Sequence, residues 1–162
     1  MIDDIDRKIV SILQENGRIA AAEVARRIEM APSAVFERIK KLEERGVIRG
    51  YTATLDPHAL SLGLLAFIML RADERITDVE AGRLIAAIPG VQEVHHIAGE
   101  DCYLVKVRTR DTESLGRLLR ERFGTIPFVR STRTTIVLET VKETLQLPVE
   151  GMDGGGERTG GS

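Results

Sequence analysis

The sequence has little of several features that mark particular classes of protein. Its 162 residues include one cysteine, Cys102, which excludes an intrachain disulfide framework and a zinc site built from cysteines. The longest apolar run, residues 62–70, is too short to cross a bilayer. Met1 leads directly into acidic residues, unlike the basic start of a signal peptide. These absences predict no membrane partner and favour a cytoplasmic location.

The chain also has no excess of positive charge and few aromatic side chains. The 23 lysines and arginines stand against 25 aspartates and glutamates, which gives a net charge of −2. The net charge therefore gives no sign of a nucleic-acid partner, and basic residues have to be considered by position. Four phenylalanines, two tyrosines and no tryptophan also argue against a surface that stacks single-stranded bases.

Apolar residues recur at helical spacing through the first 50 residues and predict three helices. In the first helix, Asp3 is placed to cap the N-terminus. A short second helix spans 23–28, and a tight turn at 29–31 leads to a third helix that starts at Pro32 and ends at Gly46. Two helices joined by a short turn, the second with a polar and basic face, form a helix-turn-helix.

The outer side of the third helix is the predicted DNA-binding surface. Val35, Ile39 and Leu42 place one face in the core, so the opposite face is expected to carry Arg38 and Lys41 together. Such a helix lies in the major groove of double-stranded DNA, where polar side chains reach base edges and phosphates. The predicted contacts are Ser33, Ala34, Glu37, Arg38, Lys40, Lys41 and Arg49.

Some of these residues leave an alternative open. Glu37 can read cytosine or form an i,i+4 ion pair with Lys41, and we favour the ion pair. Arg49 lies beyond the end of the helix and contacts either a phosphate or nothing. A charged helix face is most often simply solvated, but the preceding turn and short helix favour DNA contact here.

Beyond residue 50, short apolar runs alternate with two helices in the order β-α-β-β-α-β. The predicted elements are strand 62–71, helix 79–88, strand 91–98, strand 102–108, helix 112–123 and strand 129–138. This order is typical of a ferredoxin-like antiparallel sheet with both helices on one face. The predicted fold class is therefore α+β, with an N-terminal three-helix helix-turn-helix (winged-helix-like) domain and a C-terminal ferredoxin-like βαββαβ domain.

The domain boundaries follow from the changes in pattern. Residues 1–50 are predicted to form the helix-turn-helix domain and 51–60 a linking strand and turn. Residues 61–145 then form the ferredoxin-like domain, and 146–162 form a flexible Gly-rich tail. Six of the last twelve residues are glycine, which favours disorder at that end.

The strand at 62–70 is apolar on both of its faces. Leu64, Ala66 and Ile68 alternate with Leu65 and Phe67, so neither set is suited to face water. Two helices cover only one face of a sheet, and the other face then needs a second copy of the chain. The sequence therefore predicts an obligate homodimer.

Several short runs along the chain together resemble the sequence of a known family. In the first half they are IDRKI at 5–9, QENGRI at 14–19, APS at 31–33, RIKKLE at 38–43 and GVIRGY at 46–51. In the second half they are IAGEDCYL at 97–104 and TRTTIVL at 132–138. In this order, over residues 2–145, the sequence resembles the Lrp/AsnC (feast/famine) transcriptional regulators, and the resemblance is highly specific.

The resemblance implies a DNA-binding regulator whose C-terminal domain senses a small effector, usually an amino acid. It also implies dimers that often assemble into octamers, with the effector bound at contacts between dimers, and no further cofactor. The positions that correspond to the family's effector-responsive residues are Ile97, Ala98, Gly99, Glu100, Asp101, Cys102, Thr135 and Val137. Two residues depart from the family pattern: Cys102 stands where many members have aspartate, and Glu29 where the helix-turn-helix often has glycine.

The chemistry of an amino acid fits several of these residues. Glu100 and Asp101 are candidate acceptors for the ammonium group. Backbone N–H groups at the Gly99 turn, or the Thr135 hydroxyl, are candidate donors to the carboxylate. Gly99 is also explained by a simple hairpin turn, without any ligand.

Catalysis and metal binding find little support. His95 and His96 are adjacent on a strand and point to opposite faces, so they do not chelate one ion together. Cys102 has no convincing base near it in the sequence, and a small interface residue is its favoured role. We therefore predict no catalytic residues, no metal and no enzyme activity. The runner-up function is an effector-binding module without DNA, which leaves residues 1–49 unexplained.

Overall fold

The computed structural model describes residues 2–72, 78–99 and 102–149 and divides them into two compact units. The described residues up to Thr54 and those from Glu143 onward form the first unit. The described residues of Leu55–Lys142 form the second unit.

Three helices make up most of the first unit: α1 (Asp4–Glu15), α2 (Ala21–Arg27) and α3 (Pro32–Glu44). The Asp3 carboxylate caps α1 by accepting a hydrogen bond from the Asp6 N–H at 2.7 Å, and the Asp3 N–H donates to the Asp6 carboxylate at 3.4 Å. The buried core residues are Ile9, Val10, Val24, Ala25, Val35 and Leu42. The three predicted helices and the predicted core face of the third helix are therefore present.

The turn between α2 and α3 has a left-handed backbone at Glu29, where φ is 55°. The Met30 N–H donates to the Ala25 carbonyl at 2.9 Å across this residue, which closes the end of α2. Glycine adopts this conformation without the steric cost that a Cβ atom imposes. The glutamate that departs from the family pattern thus stands at the position of this turn where glycine is favoured.

The second unit contains a four-stranded antiparallel sheet and two longer helices. In chain order the elements are β1 (Leu64–Ala72), α4 (Asp78–Ala86), β2 (Val91–His96), β3 (Tyr103–Thr109), α5 (Thr112–Glu121) and β4 (Val129–Ile136). The strand order is β2-β3-β1-β4, so β1 lies between β3 and β4. This is the ferredoxin-like arrangement, and the predicted fold class is confirmed.

The core of the second unit lies on one face of this sheet. The buried strand residues of that face are Ala66, Ile68, Leu70, Tyr103, Val105 and Val107. Ala81 and Ile85 of α4 and Leu115 of α5 pack against them. On the opposite face Phe67 and Met69 are only half-buried, because within the described chain no helix covers that side of β1.

The predicted linking strand at 51–60 is not formed in the single chain. Among the described residues, 51–56 have no strand partner, and a turn follows in which the Leu62 N–H donates to the Pro57 carbonyl at 2.7 Å. A β-strand needs a neighbouring strand to pair its backbone groups, and the described part of the chain supplies none there. The start of the segment is held by Tyr51, whose hydroxyl donates to Glu43 Oε1 at 2.9 Å.

The segment after the second unit returns to the helices of the first. Gln14 Oε1 accepts a hydrogen bond from the Leu147 N–H at 2.7 Å, and Gln14 Nε2 donates to the Leu147 carbonyl at 3.0 Å. Val149 packs against the core of the three helices. Residues 146–149 thus differ from the expectation of a free tail from 146 onward, and the glycine-rich stretch from 151 lies outside the described residues.

Candidate DNA-binding surface and effector-binding residues

Helix α3 exposes a mixed polar and apolar face. Val35 and Leu42 are buried, and the side chains directed away from them are exposed. The exposed residues of the helix from its start to position 41 are Pro32, Ser33, Phe36, Glu37, Lys40 and Lys41. Of the predicted contacts, Ser33, Glu37, Lys40 and Lys41 therefore share an accessible surface, while Ala34 is half-buried.

Arg38 lies on the flank of α3 that faces α1, and the predicted placement beside Lys41 on the outer face is wrong. Its Nη1 is 2.7 Å from Asp3 Oδ2 and 2.7 Å from Asp6 Oδ1. Residues three apart on a helix differ in direction by about 60°, and this turn carries Arg38 toward the buried side. The predicted DNA contact of Arg38 stays a prediction.

Charge pairing fixes this flank of α3 to the start of α1. The pKa of Asp3 is lowered, first by the hydrogen bond from the Asp6 N–H and then by Arg38. The pKa of Arg38 is raised by its hydrogen bonds to Asp3 and then to Asp6. Asp3 and Arg38 therefore stay ionised at neutral pH. The positive charge of Arg38 is balanced by carboxylates of the same unit.

The charged groups of Glu37 and Lys41 are available to a binding partner. Within the described part of the chain, neither side chain forms an ion pair or a hydrogen bond, so the favoured Glu37–Lys41 pair is absent. Lys40 Nζ lies 3.9 Å from Glu44 Oε1, a loose and solvent-exposed pair. Arg49, beyond the end of the helix, is exposed. These side chains are able to meet DNA without first breaking a strong contact.

Helix α2 carries basic side chains that the sequence interpretation did not select. Glu23 Oε1 accepts hydrogen bonds from Arg26 Nη2 at 2.7 Å and from Arg27 Nε at 3.3 Å. The hydrogen bond from Arg26, followed by that from Arg27, lowers the pKa of Glu23 to about 2. The cluster keeps one net positive charge on the first helix of the motif, which in such motifs crosses the phosphate backbone.

Phe36 is a second residue that the sequence interpretation missed. Its side chain is 59% exposed in the middle of the outer face of α3. A selection by charge and polarity passes over an apolar side chain. The available signal was its helical spacing, three residues after Ser33 and four before Lys40.

In a single chain the predicted effector residues fall into two separate places. The Cys102 N–H donates to the Leu70 carbonyl at 2.8 Å, whereas the Val137 N–H donates to the Leu65 carbonyl at 2.9 Å. Leu70 and Leu65 are five residues apart on β1, a distance of about 17 Å along the strand. The turn after β2 and the end of β4 therefore do not form one pocket within the chain.

The turn itself is only partly described. The Ile97 N–H donates to the Cys102 carbonyl at 2.9 Å and closes the turn, and Gly99 adopts a φ of 133° with open space where a Cβ atom would stand. Ala98 is exposed and Cys102 is half-buried with a free thiol. Glu100 and Asp101, the predicted acceptors for an ammonium group, lie outside the described residues.

Thr135 faces the open side of the sheet, since it pairs with Phe67 of β1. Its side chain is exposed. A groove of about 280 Å³ lies elsewhere in the second unit, where Thr109, Arg110 and Ser114 approach Leu62. None of the predicted effector residues lines it.

Other chemistry is not assembled in the described residues. Over the parts of the chain that the structure describes, no three His, Cys, Asp or Glu side chains come together as a metal site. His95 Nε2 is 3.2 Å from Glu93 Oε2, while the His96 ring lies against Tyr103 with centroids 5.3 Å apart. No helix in the described ranges combines the length and apolar composition needed to cross a membrane.

A helix-turn-helix with an accessible polar face, joined in one chain to a ferredoxin-like domain, defines a two-domain DNA-binding transcriptional regulator. Residues 2–49 match the family described as winged helix-turn-helix DNA-binding, and residues 65–147 match the Lrp/AsnC ligand binding domain. The chain belongs to the Lrp/AsnC family of transcriptional regulators. The match of residues 2–49 overturns the alternative of an effector module without a DNA-binding domain.

The named relatives agree with this assignment over almost the whole chain. The HTH-type transcriptional regulator FL11 of Pyrococcus horikoshii is 40% identical over 149 residues, 92% of this chain and 97% of the relative. The leucine-responsive regulatory protein of Escherichia coli is 36% identical over 151 residues, 92% of each chain. These relatives are regulators, not enzymes.

A solved structure gives the same result for the fold. The crystal structure of a transcriptional regulator from Neisseria meningitidis, in a complex with L-Met, has a TM-score of 0.88 and 29% sequence identity. The similarity covers 94% of this chain and 99% of that one.

Proposed function

We propose that this regulator binds operator DNA as a homodimer and that an amino acid bound between copies of the chain controls its DNA affinity or its assembly. The observation that carries the proposal is the accessible polar face of α3 in a chain whose residues 65–147 match the Lrp/AsnC ligand binding domain. Helix α3 of each protomer enters the major groove, and the two helices engage half-sites about 34 Å apart.

The exposed face of α3 supports the DNA contact. Lys40, Lys41 and Arg49 are accessible cations suited to phosphates, and Ser33 stands at the helix N-terminus, where N–H groups also favour a phosphate. Glu37, free of an ion pair in the described chain, is suited to accept from cytosine N4. Phosphate contacts give affinity, and base contacts give the operator its sequence.

The open face of the sheet supports the dimer. Leu65 is buried while Phe67 and Met69 are half-buried, and Leu104 pairs with Met69 from β3 on the same face. Such an apolar sheet face is stable in water only when another surface covers it. A second copy of the chain supplies that surface.

The separation of the effector residues supports a site between copies. The turn at 97–102 and the end of β4 lie about 17 Å apart along β1 in one chain, so residues from both places reach one ligand only through a second protomer. The open space at Gly99 admits a ligand carboxylate near the backbone. The structure of the N. meningitidis regulator similar to this chain is that of its complex with L-Met, and the relative from E. coli is named leucine-responsive.

Higher assembly follows from the weak charge of each copy. With a net charge of −2 the chain makes few phosphate contacts per protomer, and several protomers on linked sites raise the affinity. We propose an octamer, built from four dimers, as the working assembly and the cytoplasm as its location.

The test combines three measurements on the full chain. An operator is selected from random DNA, the common amino acids are screened by the shift in melting temperature, and the assembly is sized with and without each hit. We expect one or a few amino acids to raise the melting temperature and to change operator affinity or particle size. If none binds and neither quantity changes, the effector proposal is wrong.

A matched pair of variants separates the effector site from the DNA site. Thr135→Val removes the proposed carboxylate donor with little change in volume and is expected to weaken the amino-acid response while leaving operator binding alone intact. Lys41→Ala is expected to weaken operator binding while leaving the binding of the amino acid intact. An unchanged response in the Thr135 variant would remove this residue from the site.

A further inference from the structure

The recognition helix presents one large apolar side chain to solvent. Phe36 is the fifth residue of α3 and is 59% exposed, whereas Val35 beside it is fully buried in the core of the three helices. Phe36 is not part of that core. The ring therefore contributes little to the packing of the unit, and its position calls for another explanation.

The neighbours of Phe36 are the residues proposed to face DNA. Ser33 precedes it by three residues and Lys40 follows it by four, so all three lie along one side of α3. Glu37, the next residue, is exposed on the same surface. In a helix-turn-helix the N-terminal half of the second helix approaches the base edges, and Phe36 lies in that half.

Helix propensity gives no reason for a phenylalanine there. At an exposed helix position lysine, glutamate or glutamine is favoured over phenylalanine, and a polar side chain also avoids the exposed apolar area. A single exposed apolar residue needs no explanation in general. One that stands among the groove-facing residues of a recognition helix has a specific apolar target within reach.

That target is a methyl group. In the major groove thymine presents its C5-methyl, and the other bases show donors and acceptors without an apolar group. We propose that the Phe36 ring packs on the methyl group of a thymine and so fixes a thymine at one position of each operator half-site. The inference rests on the proposed DNA contact of α3 and adds a specificity-determining residue to it.

Thymine and deoxyuridine differ by this methyl group alone, which makes the test specific. An operator is selected with the full chain, and each thymine is then replaced in turn by deoxyuridine. For the wild-type protein we expect one position per half-site at which the replacement lowers affinity about fourfold, the ratio that corresponds to about 0.8 kcal/mol for one buried methyl group. The other thymines are expected to tolerate replacement.

The variant Phe36→Ala completes the comparison. It is expected to bind the thymine operator more weakly and to bind the deoxyuridine operator with nearly the same affinity as the thymine operator. Phe36→Leu, which keeps an apolar side chain, is expected to retain part of the discrimination. Leu84→Ala, at a similarly exposed apolar position on α4, is the control and is expected to behave as wild type.

The outcomes separate this inference from the function on which it rests. If the wild-type chain selects no operator, the proposed DNA contact fails. If it selects one but no deoxyuridine position matters, or if wild type and Phe36→Ala lose equally at that position, the thymine contact is wrong. An equal loss of Phe36→Ala on operator and random DNA assigns Phe36 to general binding and likewise overturns it. Circular dichroism checks that each variant is folded. If Phe36→Ala is unfolded, the discrimination between thymine and deoxyuridine is measured with Phe36→Leu instead.

Discussion

Arg38 and Lys41 show how burial separates two basic residues that look alike in the sequence. Both lie on α3, three positions apart, and both were predicted to contact DNA. Arg38 is held by Asp3 and Asp6 at 2.7 Å, while Lys41 forms no ion pair with any described residue. The first side chain joins two helices of the unit, and the second is left for a phosphate.

Replacing Arg38 is expected to lower the stability of the protein. Arg38→Ala leaves the carboxylate of Asp6, a buried residue, without its cation, and an unpaired buried polar group costs about 1–3 kcal/mol. The free energy of unfolding in urea measures the loss. Lys41→Ala is the matched control, with stability within about 0.5 kcal/mol of wild type and a salt dependence of DNA binding reduced by about one ion.

An opposite pattern would restore the original interpretation of Arg38. If Arg38→Ala keeps the stability of the wild type and loses affinity for the operator but not for random DNA, then its guanidinium reads a base. The ion pairs with α1 would in that case be replaced by DNA contacts on binding.

Glu29 offers a substitution that is expected to stabilise the protein. A left-handed backbone destabilises a residue with a Cβ atom by about 1–2 kcal/mol, and glycine removes this cost. Glycine also raises the conformational entropy of the unfolded chain, which lowers the stability by about 0.4–1 kcal/mol. Glu29→Gly should therefore raise the free energy of unfolding by about 0.5–1 kcal/mol. Glu29→Ala keeps the Cβ atom and is expected to bring no such gain. Equal effects of the two variants would show that backbone strain at Glu29 is not the cause.

At the scale of whole elements, the irregular segment at 143–149 has the least expected contacts. It follows the second unit in the chain, yet it pairs with Gln14 at the end of α1 and places Val149 on the core of the three helices. In the sequence, the second unit is therefore preceded and followed by segments of the first unit.

Gln14→Ala should release this segment. The side chain both accepts from the Leu147 N–H and donates to the Leu147 carbonyl, and alanine can do neither. We expect faster hydrogen exchange of the Leu147 amide, while the amides of the α1 interior keep their protection. Gln92→Ala, an exposed glutamine on β2, serves as the control. Unchanged exchange at Leu147 would mean that Val149 and the hydrogen bond from Gln146 Nε2 to the Gln14 carbonyl are enough to hold the segment.

The elements that follow a regular pattern could be predicted from the sequence, and those that depend on contacts between distant residues could not. Apolar spacing placed all three helices and the four strands because burial of one face imposes a period. The predicted helix to 123 ends at Glu121 and gives way to a short turn at Phe123–Thr125. The contact of Gln14 with Leu147 joins residues 133 positions apart, and no local pattern encodes it.

The candidate site divides in the same way. Ser33, Lys40 and Lys41 were placed on the outer face of α3 by helical period alone. Arg38 was misplaced because its direction depends on the carboxylates of α1, which periodicity does not contain. The effector positions came from the resemblance to the family, and a single chain shows only that they lie apart.

For the chain as a whole, the open face of the sheet is the feature on which the proposed dimer rests. A monomer would leave Phe67 and Met69 of β1 partly exposed beside Leu104 of β3. The same dimer would bring two α3 helices to one DNA and double the few phosphate contacts that a chain of net charge −2 can make. Dimerisation and DNA affinity are therefore expected to be lost together.

Phe67→Asp tests this link directly. A charge on the open face cannot be covered by another apolar surface without a large desolvation cost, so we expect monomers where the wild type forms dimers or larger assemblies. Analytical ultracentrifugation measures the mass, and operator titrations at several salt concentrations should show a weaker affinity with about half the salt dependence of the wild-type dimer. Leu84→Asp, at an exposed apolar position on α4, is expected to leave both measurements unchanged. If Phe67→Asp stays folded and keeps the wild-type mass, the protomers meet through another surface, and the apolar face of β1 needs a different occupant.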